Sequence, residues 1–149
     1  IETDKGAMEM ELFLKESPFT ATNFLYLVRE GFYDGLIWHR VIPGMIIQGG
    51  DPTGVGQGGP GYAINFEENE KLHTPGAVAM ARTPDPNSAG SQFYIALERL
   101  PNLDGQYVVF GQLTSGLDVA KKIASVRRSA RDKPLEDVHI IRIYEKQSG

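Results

Sequence analysis

The sequence predicts a mainly β protein, a closed barrel with helices plugging its ends. Three observations point there. Seventeen glycines and nine prolines cut the 149-residue chain into short pieces. Most of those pieces carry strand patterns, and only two show a helical period. Many short strands with two lone helices are accommodated most economically by closure, which removes exposed sheet edges.

In chain order, residues 7–14 (AMEMELFL) set Met8, Met10 and Leu12 against Glu9 and Glu11, a half-buried strand with one wet face. From Ser17, a serine suited to the N-cap precedes Pro18, suited to the first helical position. Ala21, Phe24, Leu25 and Val28 then form the apolar stripe, and Gly31 ends the helix. Further strands are expected at Leu36–Ile42, Ile46–Gln48, Ala77–Ala81, Phe93–Leu97, Tyr107–Leu113 and Val138–Tyr144. In the last of these, Val138, Ile140 and Arg142 share one face and His139, Ile141 and Ile143 the other. A second helix is expected over about Leu117–Val126, with Val119, Ile123 and Val126 facing the core. No internal repeat and no linker divides the chain, so residues 1–149 are expected to be one domain.

Composition narrows the function. Hydrophobic residues at 41% and charged residues at 23% suit a soluble globular chain, and no run of 18 apolar residues suggests a membrane span. With no cysteine, a disulfide scaffold, a thiolate metal site and a cysteine nucleophile are all excluded. Fifteen basic against nineteen acidic residues give a net charge of −4, which argues against a general nucleic-acid binder. No nucleic-acid or membrane partner is therefore expected, and the chain is read as a monomer. No signal-peptide pattern opens the sequence at Ile1. The expected location is the cytoplasm, or an extracytoplasmic compartment if a leader has been removed.

Several motifs carry less than they first suggest. Residues 49–61 (GGDPTGVGQGGPG) hold seven glycines, and Gly54, Gly56 and Gly59 fit G-x-G-x-x-G. A dinucleotide site would need a helix opening on that loop, yet Pro60 and Gly61 follow. The glycines are read as shaping a surface loop. His39, His73 and His139 lack metal-ligand spacing and are read as structural or solvent-facing. Ser91 lies outside any G-x-S-x-G elbow and reads as a backbone-bonding residue beside a turn. No metal and no cofactor are expected.

The informative stretch is WHRVIPGMIIQGGD, residues 38–51. Arg40 sits in an otherwise apolar strand, where a charge is costly unless it is paired or faces a cleft. A two-residue turn at Pro43-Gly44 would set Arg40 opposite Ile47. A three-residue connection, Pro43–Met45, sets it opposite Gln48 with Ile46 beside it. The second register gives an arginine held by an amide on a mostly apolar face, prepared for a neutral carbonyl ligand. A structural arginine is the alternative.

These residues closely resemble the cyclophilin signature. AGSQFYIAL (89–97), LDGQYVVFG (103–111) and NFLYLVREGFYDG (23–35) resemble further blocks of that family, in the same order. The resemblance runs from about Gly6 to Ile143 and looks like the compact bacterial form, without the longer insertions of many eukaryotic members. It implies a closed eight-stranded antiparallel β-barrel capped by two α-helices, with peptidyl-prolyl cis–trans isomerase activity and a role in protein folding. Its expected partners are proline-containing peptides and client proteins, unfolded or folded. By the same resemblance, Arg40 matches the catalytic arginine and Gln48 its supporting glutamine.

Met45 and Ile46 match apolar pocket positions, and Ala81 and Arg82 match the strand whose backbone pairs with substrate. Gln92, within AGSQFYIAL, is expected to be a further substrate-binding position. Tyr94 stands where the family usually has the Phe of the proline pocket, and Leu103 matches the leucine on its wall. Tyr107 replaces a frequent His. Asn102 stands where human-type members carry a Trp, so weak cyclosporin binding is expected. The loop Arg82–Asn87 is one residue longer than the common form. The rival to an isomerase is a non-catalytic module that only binds proline peptides. A small-molecule carrier would need a hollow barrel, which the bulky strand residues here would fill.

Overall fold

The computed structural model describes residues 1–146, so the last three residues of the expected 1–149 domain lie outside it. Nine strands and two helices follow one another: β1 (Glu2–Thr3), β2 (Gly6–Ala7), β3 (Glu9–Leu12), α1 (Pro18–Arg29), β4 (Trp38–Ile42), β5 (Ile46–Gly49), β6 (Ala77–Met80), β7 (Phe93–Ala96), β8 (Val109–Ser115), α2 (Leu117–Ala124) and β9 (Ile140–Arg142). A short 3-10 turn, Pro101–Leu103, precedes β8.

The strands form two sheets, ordered β3-β8-β6-β7-β5-β4 and β2-β1-β9, with every pairing antiparallel. The eight-stranded closed barrel expected from the sequence is therefore corrected in one respect: the ladders do not join into an unbroken ring. Isolated backbone bonds span the seams instead. Met8 N–H donates to Ile1 O at 2.9 Å, and at the other seam Trp38 N–H donates to Val138 O at 2.9 Å. Ile37 and His139 form a lone bridge beside the latter. The physical reason is strand length: β1 and β2 have two residues each, and β1 shifts register against β9 between Glu2 and Thr3.

Strand periodicity sorts the large sheet's side chains by face. Ile47, Val78, Met80, Phe93 and Ile95 point into the main core with Trp38 and Phe110. Phe24 of α1 packs there against Tyr33, Phe93 and Phe110, with ring centroids 5.1, 5.4 and 5.0 Å away. The alternate residues Ile46, Ala77, Ala79, Tyr94 and Ala96 form a second apolar cluster with Val109 on the opposite face. Three alanines keep that outer face low, which leaves room for a shallow cleft.

Both helices lie where the period places them, with corrections of detail. In α1 the buried face is Thr20, Ala21, Phe24, Leu27 and Val28, so Leu27 rather than Leu25 completes it. Ser17 makes no side-chain cap; its hydroxyl donates to Val109 O at 3.1 Å. The free amides of the first turn are met by Glu67, which accepts from Phe19 N at 2.9 Å and Thr20 N at 2.7 Å. A carboxylate there also complements the helix dipole. Gly31, at φ +70, turns the chain out of the helix. Helix α2 stops at Ala124 and buries Ala120, Ile123 and Ala124, while Val119 and Val126 are only partly covered.

Strand β8 runs later than expected, beginning at Val109 and leaving Tyr107 in the preceding loop. Strand β9 is shorter than Val138–Tyr144, and Ile143 is buried while Arg142 and Ile141 are exposed, so the alternation breaks there. No helix among the described residues is long and apolar enough to cross a membrane.

Candidate active site

The β4–β5 hairpin settles the register question. Arg40 pairs with Gln48, Val41 with Ile47 and Ile42 with Ile46, leaving Pro43, Gly44 and Met45 as the connection. Strand β7 lies on the other side of β5, and Gln48 pairs there with Tyr94. Because paired residues share a face, Arg40, Gln48 and Tyr94 form a row across three strands. A cleft of about 160 Å³ opens along that row, lined by Arg40, Met45, Ile46, Gln48, Ala81, Arg82, Tyr94, Leu103 and Tyr107. Nine of the eleven residues singled out from the sequence are thus brought together by four segments far apart in the chain.

The other two lie apart from that lining. Gln92 borders an adjoining hollow of about 330 Å³, which shares Gln48, Ala81 and Arg82 with the first. Asn102 is exposed on the 3-10 turn and lines neither.

The polar groups at the cleft are of two kinds. Arg40 is exposed, and among the described residues its guanidinium has no hydrogen-bond or ion-pair partner. The expected amide clamp from Gln48 is corrected: the Gln48 Nε2 donates to Gln92 Oε1 at 3.1 Å, and Gln92 Nε2 donates to Gly58 O at 2.9 Å. Register gave Gln48 its face, but the competing side chain, Gln92, came from the segment that leads into β7.

Arg82 is the opposite of Arg40. Its Nε and Nη2 donate to Gln106 O at 3.0 and 2.7 Å, and Nη1 donates to Thr83 O at 2.9 Å. Its guanidinium also lies over the Tyr107 ring, 4.7 Å from the centroid. Tyr107 in turn meets Tyr94 edge to face at 5.9 Å. Strand β6 is interior to the sheet, so only its continuation past Met80 is available to a peptide, and the Ala81 N–H already donates to Gln92 O at 3.0 Å.

The walls rest on a buried polar chain behind them. Tyr94 is buried, and its hydroxyl meets Nε2 of His73 at 2.6 Å. His73, fully buried, is also held by Asp104, which pairs with Arg99 at 2.5 Å. Burial pushes His73 below the ordinary imidazole range, while Arg99 and His73 hold the Asp104 carboxyl down at about 2. Burial likewise pushes the Tyr94 phenol far above its usual range.

Asp51 organises the glycine-rich loop. Its carboxylate accepts from the N–H groups of Thr53, Val55, Gly56 and Gln57 and from the Thr53 hydroxyl. Burial pushes this carboxyl up, yet the donors outweigh it and hold it far below the usual range. Gly50 (φ +93) lets the chain pass, since a Cβ there would lie 2.5 Å from Ser91 O. Nothing in the sequence flags Asp51 or Asp104, and His73, read as structural or solvent-facing, is structural, because their partners become visible only in the folded loops.

Ser91 donates to Gly50 O at 2.6 Å, the backbone role expected of it. His139 is exposed and sits 2.9 Å from Asp4. Among the described residues no group of three or more His, Cys, Asp or Glu is placed to hold a metal ion.

Comparison with known proteins covers nearly the whole chain. The family model described as cyclophilin type peptidyl-prolyl cis-trans isomerase matches residues 1–145. A peptidyl-prolyl cis-trans isomerase of Arabidopsis thaliana is 41% identical over 146 residues, covering 95% of this chain and 89% of its own. Peptidyl-prolyl cis-trans isomerase B of Bacillus subtilis is 48% identical over 124 residues, covering 82% and 86%. A Cryptosporidium parvum cyclophilin type isomerase, crystallised in the presence of the dipeptide Ala-Pro, superposes with a TM-score of 0.95 at 36% identity. That match covers 99% of this chain and 98% of the other.

Proposed function

The chain belongs to the cyclophilin-type peptidyl-prolyl cis-trans isomerase family, and on that premise we propose that it turns X-Pro bonds in the cleft beside Arg40. The observation that carries the site is the unpartnered guanidinium of Arg40 at an apolar cleft walled by Met45, Ile46, Tyr94 and Leu103.

The chemistry needed is modest. Amide resonance sets a barrier of about 18–20 kcal/mol, so an X-Pro bond unaided turns over in tens to hundreds of seconds. No covalent bond breaks, so neither a nucleophile nor a metal is required. Twisting returns electron density from the carbonyl oxygen to the prolyl nitrogen, which pyramidalises. A donor aimed at that nitrogen gains more in the twisted state than in either planar one, which is the condition for catalysis.

Arg40 supplies that donor, and a second N–H of its fork holds the carbonyl of the proline itself. Gln48, its amide N–H groups turned to Gln92, offers its remaining oxygen beside Arg40. A charge-assisted hydrogen bond contributes about 1.5–3 kcal/mol, or roughly 10- to 150-fold. The remainder comes from fixing the flanks through the backbone past Met80 and Gln92, so that one torsion is left to turn, while Ile46, Tyr94 and Leu103 seat the ring alike in every state. Excluding water also disfavours the more dipolar planar amide.

The substrates are proline-containing segments of client chains. On the exposed 3-10 turn, Asn102 offers no aromatic surface where human-type members carry a Trp, so cyclosporin is bound weakly in this reading. NMR exchange spectroscopy on a short Ala-Pro peptide tests the assignment: catalytic amounts of protein are expected to speed cis–trans exchange. Unchanged exchange with bound peptide would leave only a binding module.

A further inference from the structure

One side chain ties the two walls of the cleft together from behind. Tyr94 comes from β7 and Leu103 from the 3-10 turn, and both line the cleft. His73 lines neither the cleft nor the hollow next to it, and it is fully buried. Its ring lies nearly parallel to Tyr94, 5.8 Å between centroids at 16°, and Nε2 is 2.6 Å from the Tyr94 hydroxyl. On the other side, Nδ1 is 3.2 Å from Asp104 Oδ1, which also accepts the His73 main-chain N–H at 2.7 Å. Asp104 follows Leu103 directly, and Arg99 clamps Asp104 Oδ2 while donating to His73 O at 3.2 Å.

The proton positions follow from the partners. A carboxylate only accepts, so Nδ1 carries the imidazole proton, and Nε2 is left to accept from the Tyr94 O–H. Stacking restrains the tilt of the Tyr94 ring, and the hydroxyl bond restrains its swing.

We propose that His73 is a positioning residue for the proline subsite, fixing the Tyr94 ring relative to Leu103 and so setting the width of the cleft for a five-membered ring. This rests on the isomerase reading of the cleft. The ring is gripped alike in the cis, twisted and trans states, so loosening the grip removes uniform binding. The cost then falls on KM rather than kcat. A looser cleft also discriminates less between proline and its six-membered homologue, pipecolic acid.

The test is a double-mutant cycle with Tyr94→Phe and His73→Asn. The asparagine amide keeps a donor toward Asp104 but leaves the Tyr94 side unmet. Each single variant is expected to raise KM for an Ala-Pro peptide by about three- to tenfold, with kcat within about twofold. Each also lowers the preference for Ala-Pro over Ala-pipecolyl peptide, and the double variant is no worse than the worse single. Unchanged KM in Tyr94→Phe, a fall in kcat instead, or multiplying effects in the double variant would overturn the proposal. If His73→Asn does not fold, Tyr94→Phe decides alone on KM and on ring preference. A wild type that binds but does not turn over the peptides would refute the isomerase reading. The peptide Kd of the same variants would then still judge the grip of His73.

Discussion

Arg40 and Arg82 border the same cleft, and they use their charge in different ways. Arg82 donates to the carbonyls of Gln106 and Thr83 and stacks over Tyr107, so it joins the 82–84 segment to the 106–107 loop. Arg40 borders an apolar cleft, opposite Gln48 across the ladder, and donates to nothing among the described residues. A guanidinium with its forks satisfied by backbone is a strut. One left open at an apolar cleft can offer both N–H vectors to a ligand at no cost in broken bonds. The pair shows that membership of a cleft's lining does not assign a role; the partners each group already has do.

The sharpest way to break this contrast is Arg40→Ala. It is expected to lower kcat/KM for an Ala-Pro peptide at least 100-fold while leaving Tm within about 2 °C, because an unpartnered exposed group contributes little to stability. A variant retaining more than a third of wild-type efficiency would return Arg40 to the structural class. Arg40→Lys should also be poor, since a point charge lacks the fork.

Next in size is Asn102→Trp, which places an aromatic surface on the 3-10 turn. Calorimetric titration should show cyclosporin binding about 10- to 100-fold tighter than in wild type, with small-peptide turnover little changed. Equal affinities would show that this position does not control the drug.

Arg82→Ala should cost about three- to tenfold in kcat/KM, mostly through KM, because it frees the 106–107 loop rather than the reacting bond. A loss as large as that of Arg40→Ala would erase the distinction between strut and donor.

The smallest effect is a pH slope. Burial holds His73 below its ordinary pKa of 6.5, so on acidification the unfolded chain takes a proton that the folded protein resists. That stability is present above about pH 6.5 and is lost as pH falls toward the lower folded value. Denaturant titrations at pH 7.5 and 5.5 should therefore show a smaller drop in His73→Asn than in wild type. His39, also lowered by burial, supplies part of the remaining slope. Identical slopes would place His73 outside the acid response.

Some of this was legible in the sequence for reasons of local physics. The period of 2 in the strands and of 3.6 in the helices follows from backbone geometry, so both helices and all seven expected strands are present. The face shared by Arg40 and Gln48 was one of two that the sequence allowed, and the three-residue connection selects it, because strand pairing propagates register from a turn. The residues lining the cleft were reached by resemblance of ordered motifs, not by spacing.

Local sequence thus fixes the set of short amphipathic elements and limits the β4–β5 hairpin to two registers, between which the fold chooses. Tertiary structure alone decided which polar groups meet. Gln48 bonds Gln92 rather than Arg40, Glu67 caps α1 in place of Ser17, and Asp104 meets His73 across 31 residues. It also decided that the ladders stop short of a closed ring. The physical reason is range. Periodicity is fixed within a few residues of backbone, whereas a side chain's hydrogen-bond partner is chosen by whichever group the finished packing leaves within about 3 Å.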